Sequence, residues 1–179
     1  PHLDLHSFPT RRSSDLAEPW FGLGVVELKT GNPDDSIIFF RKAVRLDDEN
    51  PEYWYFMGKA HHAGGELKSS VTCFREALKL DPYFDEVWLD FAKIILSENL
   101  EKKALPYLDH ACKATGEVPG LNYLLASFHL KSGNADKAFT HLSLALGIDH
   151  GLFIVYRELF PREILSRKII RLLIRYKLI

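Results

Sequence analysis

Residues 51–84 read PEYWYFMGKAHHAGGELKSSVTCFREALKLDPYF, and this stretch decides the fold. Trp54, Met57, Gly58 and His61 recur at three- and four-residue spacing, which predicts one face of a helix. Pro51 opens that helix where its missing N–H costs nothing. Gly64-Gly65 ends it, because glycine tolerates the left-handed backbone of a C-terminal cap. A second helix is expected from about Leu67, with Ser70, Phe74 and Ala77 as its buried row. Asp81-Pro82 stops it, since the residue before proline is pushed out of the helical region.

The same pattern returns every 34 residues on either side. The only three tryptophans, Trp20, Trp54 and Trp88, are one step apart, and Trp54 is expected to be largely buried between its own hairpin and the next. So are Ala43, Ala77, Ala111 and Ala145, and Phe40, Phe74, Leu108 and Leu142. Gly31, Gly65, Asn99 and Gly133 form a turn column. Leu23, Met57, Phe91 and Leu125 form another, followed by Gly24, Gly58, Ala92 and Ala126. No gap is needed in four copies. The small residue at 24, 58, 92 and 126 is read as letting the second helix approach the first, and Ala43, Ala77, Ala111 and Ala145 as doing the same from the other side. A lone hairpin cannot bury both its faces, so the hairpins must stack. Strands are not expected, because β-branched residues never alternate.

This pattern resembles the tetratricopeptide repeat, W-x2-L-G-x2-Y followed by A-x3-F, A and P. Trp20-x2-Leu23-Gly24 matches it in full, as does Pro82 at the closing position. Ser36 and Ser70 replace the first Ala, and Leu108 and Leu142 replace Phe. The Tyr column departs most, holding Glu27, His61, Ile95 and His129, and Asn122 stands where the fourth Trp is expected. The resemblance implies an all-α, right-handed superhelical solenoid of four repeats over residues 17–150, in an approximate register of 17–50, 51–84, 85–118 and 119–152. Residues 151–179 are expected to add C-terminal capping helices. Tyr156 and Leu159 continue the register until Phe160-Pro161 breaks it. A last amphipathic helix is expected from about Glu163 to Tyr176, with Leu165, Ile169, Leu172, Leu173 and Tyr176 inward. This end is similar to the tail of some bacterial tetratricopeptide proteins.

Residues 1–16 read PHLDLHSFPTRRSSDL and carry no apolar period. From His6 the segment resembles the conceptual translation of a sequencing adapter, so we set it aside as an artefactual or disordered tail. A lost N-terminus and lost upstream repeats are the corresponding expectation, and localisation stays unassigned, with the cytoplasm as default.

The 179 residues have a net charge of −1, with 46% apolar and 26% charged side chains, which excludes a disordered chain. No apolar run is long enough for a transmembrane helix. Residues 17–156 carry 14 basic and 20 acidic groups. Residues 157–179 carry Arg157, Arg162, Arg167, Lys168, Arg171, Arg175 and Lys177 against Glu158 and Glu163, a net of +5. The basic tail reads as a solvated helix face. Cys73 and Cys112 match no metal or redox spacing and read as small core residues. No phosphate loop, nucleophile elbow or H-E-x-x-H is present, so no catalytic residue, cofactor or metal ligand is assigned. His61 and His129 are read as core imidazoles. A basic concave face for nucleic acid is lacking.

Two functions remain. The first is a protein–protein interaction scaffold, binding a peptide or partner helix in its concave groove. The second is a structural or self-assembly module, part of a larger repeat protein, with self-association left open. In the resembling family the groove is lined by the first helix of each repeat. Here that stripe reads Phe21, Val25 and Leu28; Tyr55, Lys59 and His62; Leu89, Lys93 and Leu96; and Tyr123, Ser127 and Leu130. The lysine–asparagine clamp for a chaperone C-terminus is not reproduced. The bland alternative is that several of these residues pack between adjacent first helices.

Overall fold

The computed structural model describes residues 13–115, 117–160 and 167–179, and all its regular elements are helical. Two compact units divide between Asp81 and Pro82. The first holds α1 (Ser13–Lys29), α2 (Pro33–Leu46), α3 (Pro51–Ala63) and α4 (Leu67–Leu80). The second holds α5 (Asp85–Ser97), α6 (Glu101–Thr115), α7 (Pro119–Lys131), α8 (Ala135–Asp149), α9 (Phe153–Tyr156) and α10 (Arg167–Arg175), with a 3-10 turn at Arg157–Leu159. The helix starts keep the sequence period: α3, α5, α7 and α9 begin at 51, 85, 119 and 153, and α2, α4, α6 and α8 at 33, 67, 101 and 135. Helix α1 begins at Ser13 and takes in residues 13–16 of the stretch set aside above. Residues 1–12 lie outside the described residues, as do Glu163 and Leu165 of the expected last helix.

The turn column has one geometry throughout. Gly31, Gly65, Asn99 and Gly133 have φ of 86°, 78°, 53° and 78°. The next amide then donates back to the carbonyl five residues earlier: Asn32 to Glu27, Glu66 to His61, Leu100 to Ile95 and Asn134 to His129, at 2.9, 2.8, 2.9 and 2.8 Å. This cap needs a left-handed residue, which glycine adopts without strain and asparagine tolerates.

The close approach of paired helices follows the small-residue column. A Cβ on Gly24 or Gly58 would lie 2.6 or 2.5 Å from the ring of Phe40 or Phe74, both fully enclosed. At the same columns the third and fourth repeats exchange Gly and Phe for Ala and Leu, and Ala92, Leu108, Ala126 and Leu142 are all fully buried. A larger residue on one helix is matched by a smaller one on the other, as close packing requires.

Three expectations are corrected. Trp54 is half-buried rather than largely buried, and Tyr53 takes the enclosed place beside it. The Trp54 indole N–H donates to the Asp48 carbonyl at 2.9 Å, which holds the ring at the rim near the end of α2. Trp88 makes the equivalent bond to Pro82 O at 2.8 Å but is 4% exposed. Second, Ala111 is not buried with Ala43, Ala77 and Ala145. The hairpins α1–α2, α3–α4 and α7–α8 pack along their lengths, whereas α5 and α6 hardly touch, and α6 lies against α7 instead. Only Leu108 of α6 is buried. Third, the outer face of α10 is not wholly polar: Ile169 and Leu173 turn inward, but Ile170 and Ile174 are exposed beside its arginines.

Candidate functional site

In the first unit, the stripe folds largely into the core. Phe21 lies 4.9 Å from the Tyr53 ring and 5.2 Å edge-on from Phe56, and Val25 and Leu28 pack against the same cluster. Tyr55 is buried between Phe56 and Phe74, with ring centroids 5.4 and 5.9 Å away. Lys59 stands 5.1 Å above the Tyr55 ring and 5.5 Å above Phe56, a cation over aromatic faces. His62 is exposed in the last turn of α3. The Tyr53 hydroxyl donates to Glu18 at 2.9 Å, and burial, reinforced by that carboxylate, pushes its pKa up to about 12.

The second unit divides the stripe in two. Tyr123, Ser127 and Leu130 are enclosed, as is the rest of α7 through Leu130, and they offer no groove. The covering element is α9. Tyr156 stacks on Tyr123 at 5.2 Å and 18°, and Phe153 lies 6.2 Å away. The Tyr123 hydroxyl donates to Asp149 O at 2.7 Å, and that of Tyr156 to Asp85 O at 2.9 Å. Burial raises the pKa of both phenols. Phe21, Tyr55, Tyr123 and Ser127 therefore lie packed against or enclosed by neighbouring side chains. By contrast, Leu89, Lys93 and Leu96 of α5 face Val155, Glu158 and Leu159 across a cavity of about 370 Å³. Lys93 is exposed and lies 3.3 Å from Asp90.

The fold also assembles a cluster that sequence spacing did not. Asp109 of α6, His129 of α7 and His141 of α8 bring one ligand atom each within 4.8 Å of one another. His129 Nε2 is 3.4 Å and His141 Nε2 4.0 Å from Asp109 Oδ1, and the two imidazoles stack at 5.5 Å. Asn122 lies beneath them, 1% exposed: its Oδ1 is 2.9 Å from His141 Nδ1, and the Cys112 thiol points to it at 3.8 Å. Desolvation lowers both imidazole pKa values below 6.5, with Asp109 opposing the shift. His61, expected as a core imidazole, is indeed buried and sits 2.9 Å from Glu66. Cys73 and Cys112 are free thiols; Cys73 is buried, which pushes its pKa up to about 11. Among the described residues, no helix is long and apolar enough to cross a membrane.

Comparison with known proteins gives a consistent family signal. Two family models described as tetratricopeptide repeat match residues 17–50 and 51–84. No curated protein sequence matches the chain significantly. Among solved structures, the chain is similar to MamA from Desulfovibrio magneticus RS-1, at 22% identity and a TM-score of 0.53 over 92% of this chain and 87% of that one. It is similar to pilF of Pseudomonas aeruginosa, at 16% identity and a TM-score of 0.56, over 92% and 71%. It is also similar to YrrB, described as a TPR protein with an unusual peptide-binding site, at 18% identity and a TM-score of 0.52, over 90% and 89%. At these identities the likeness is one of fold.

Proposed function

We propose that the chain is an interaction scaffold that binds an apolar peptide or partner helix along α5, at Leu89, Lys93 and Leu96, a reading supported by the tetratricopeptide-repeat models that match residues 17–50 and 51–84. The observation that carries this reading is the open cavity between that stripe and Val155, Glu158 and Leu159. It combines an aliphatic floor with one cation and one anion at its margin. The neighbouring stripe on α7 supports the reading in cis: α9 lays Phe153 and Tyr156 against Tyr123. A partner presenting an apolar anchor would use the α5 stripe in the same way, with an acidic residue meeting Lys93. Anchors seated in enclosed pockets usually dominate affinity, and rim charges steer association.

The test is selection of peptides from a random display library, followed by titration against Leu89→Asp and Leu96→Asp variants whose helical content is unchanged. Selected peptides should carry an apolar anchor near an acidic residue and bind each variant at least about tenfold more weakly. Peptides that bind both variants as tightly as the parent chain would place the binding face elsewhere.

A further inference from the structure

The fourth repeat carries polar side chains at three columns of the pattern. Asn122 stands in the tryptophan column, His129 in the tyrosine column, and His141 one period after Tyr107 and Cys73. These substitutions converge in space with Asp109 around one point. Burying four such groups is unfavourable unless each is satisfied. Here Asn122 satisfies one nitrogen of His141, and the other nitrogen is left facing the Asp109 carboxylate.

Asn122 settles the protonation of His141. The Asn122 Nδ2 donates to Val118 O at 2.9 Å, so its Oδ1 faces His141 Nδ1 as an acceptor. Nδ1 therefore carries the proton, and the lone pair of Nε2 turns towards Asp109 and His129. An imidazole held from behind by an amide or carboxylate oxygen is the usual outer-shell arrangement for a metal-binding histidine. Desolvation favours the neutral rings that ligation requires, and Lys137 acts in the same direction. The carboxylate is 29% exposed, so the point where the three groups meet is reachable from solvent.

We propose that Asp109, His129 and His141 bind a zinc-class divalent ion. Two imidazole nitrogens and one carboxylate oxygen are a donor set that zinc accepts, with water completing the four. In a tetrahedral site with bonds of 2.0–2.1 Å, ligand atoms lie about 3.4 Å apart. The carboxylate already stands 3.4 and 4.0 Å from the two imidazole nitrogens and all three ligand atoms lie within 4.8 Å of one another, so the site closes if the imidazoles draw together and turn out of their stack to face one ion. The ligands come from three helices, and the ion would tie α6 to the α7–α8 hairpin.

The experiment is zinc titration of the untagged full chain in competition with a chromogenic chelator, together with cobalt absorption and a thermal melt. One ion per chain, a tetrahedral cobalt spectrum and a rise in melting temperature with zinc are expected. His141→Ala and Asp109→Asn should each weaken binding at least tenfold. Asn122→Leu, which keeps all three ligands, should weaken it about 10- to 100-fold. His61→Gln, in the first unit, should leave it unchanged. Asp109→Asn keeps the shape of a partly exposed side chain, so it separates lost ligation from lost folding should His141→Ala melt early. No uptake at tenfold excess zinc overturns the proposal, as does full-affinity binding in Asp109→Asn and His141→Ala together.

Discussion

The Phe74 ring occupies the space that a Cβ on Gly58 would need. The small column of one helix and the large column of its partner are therefore a single packing unit.

Gly58→Ala should destabilise the first unit by about 1–3 kcal/mol, the usual cost of overpacking. Adding Phe74→Leu recreates the Ala126–Leu142 combination of the fourth repeat, whose two helices pack along their lengths, and should restore part of the loss. A double-mutant cycle by urea unfolding checks this. Additive losses would mean that the two positions do not share one space.

The Ser70 hydroxyl is buried and has no hydrogen-bond partner among the described residues. The same column holds Ala104 and Ala138. Ser70→Ala should raise stability, since an unsatisfied buried polar group costs about 1–3 kcal/mol. Differential scanning calorimetry should show a higher midpoint; a lower one would reveal a hydrogen bond that the substitution removes.

Trp88 and Trp54 make the same bond to a backbone carbonyl but differ in burial. Trp88→Ala should cost about 3–5 kcal/mol, the range for a large aromatic in a core. Trp54→Ala should cost clearly less, because its ring already meets solvent. Thermal melts of the two variants rank them, and the reverse order would contradict the assigned burial.

Acidification should weaken the second unit. His129 and His141 titrate below 6.5 in the fold and near 6.5 when unfolded. The unfolded chain thus binds protons that the folded chain refuses as pH falls through 6.5. Their contribution is complete above that pH and is lost progressively below it. Asp109 opposes the loss, Lys137 adds to it, and the neutral Cys112 thiol contributes no charge. Urea midpoints in chelator-treated buffer at pH 7.5, 6.5 and 5.5 should fall for the parent chain and fall less for a His129→Gln, His141→Gln variant. Parallel decline would assign the effect to other groups.

The hairpins were legible because they rest on local chemistry. A 34-residue period, prolines at helix starts and left-handed residues at helix ends place nearly every boundary. The stripe was harder to read. Whether Tyr123 faces solvent depends on α9, a four-residue helix that a local pattern hardly marks. Likewise Asp109, His129 and His141 lie on three helices with no ligand spacing, although Asn122 in the tryptophan column was a visible sign. The half-burial of Trp54 depends on a carbonyl in the preceding loop, which periodicity does not register.

The weak contact between α5 and α6 bears on how the second unit comes apart. Helix α6 is attached to α7 by Asp109–His129 and by Glu101–Lys131, 3.7 Å apart, more than to its own hairpin partner. In a linear array, opening spreads between nearest neighbours. Loss of α7 would then set α6 adrift and strip α5 as well, because Trp88 lies against Gly120 of α7. Helix α7, on which both helices of the preceding hairpin lean, is therefore the centre from which the second unit comes apart. Amide exchange along α5 and α6 should accordingly keep time with α7.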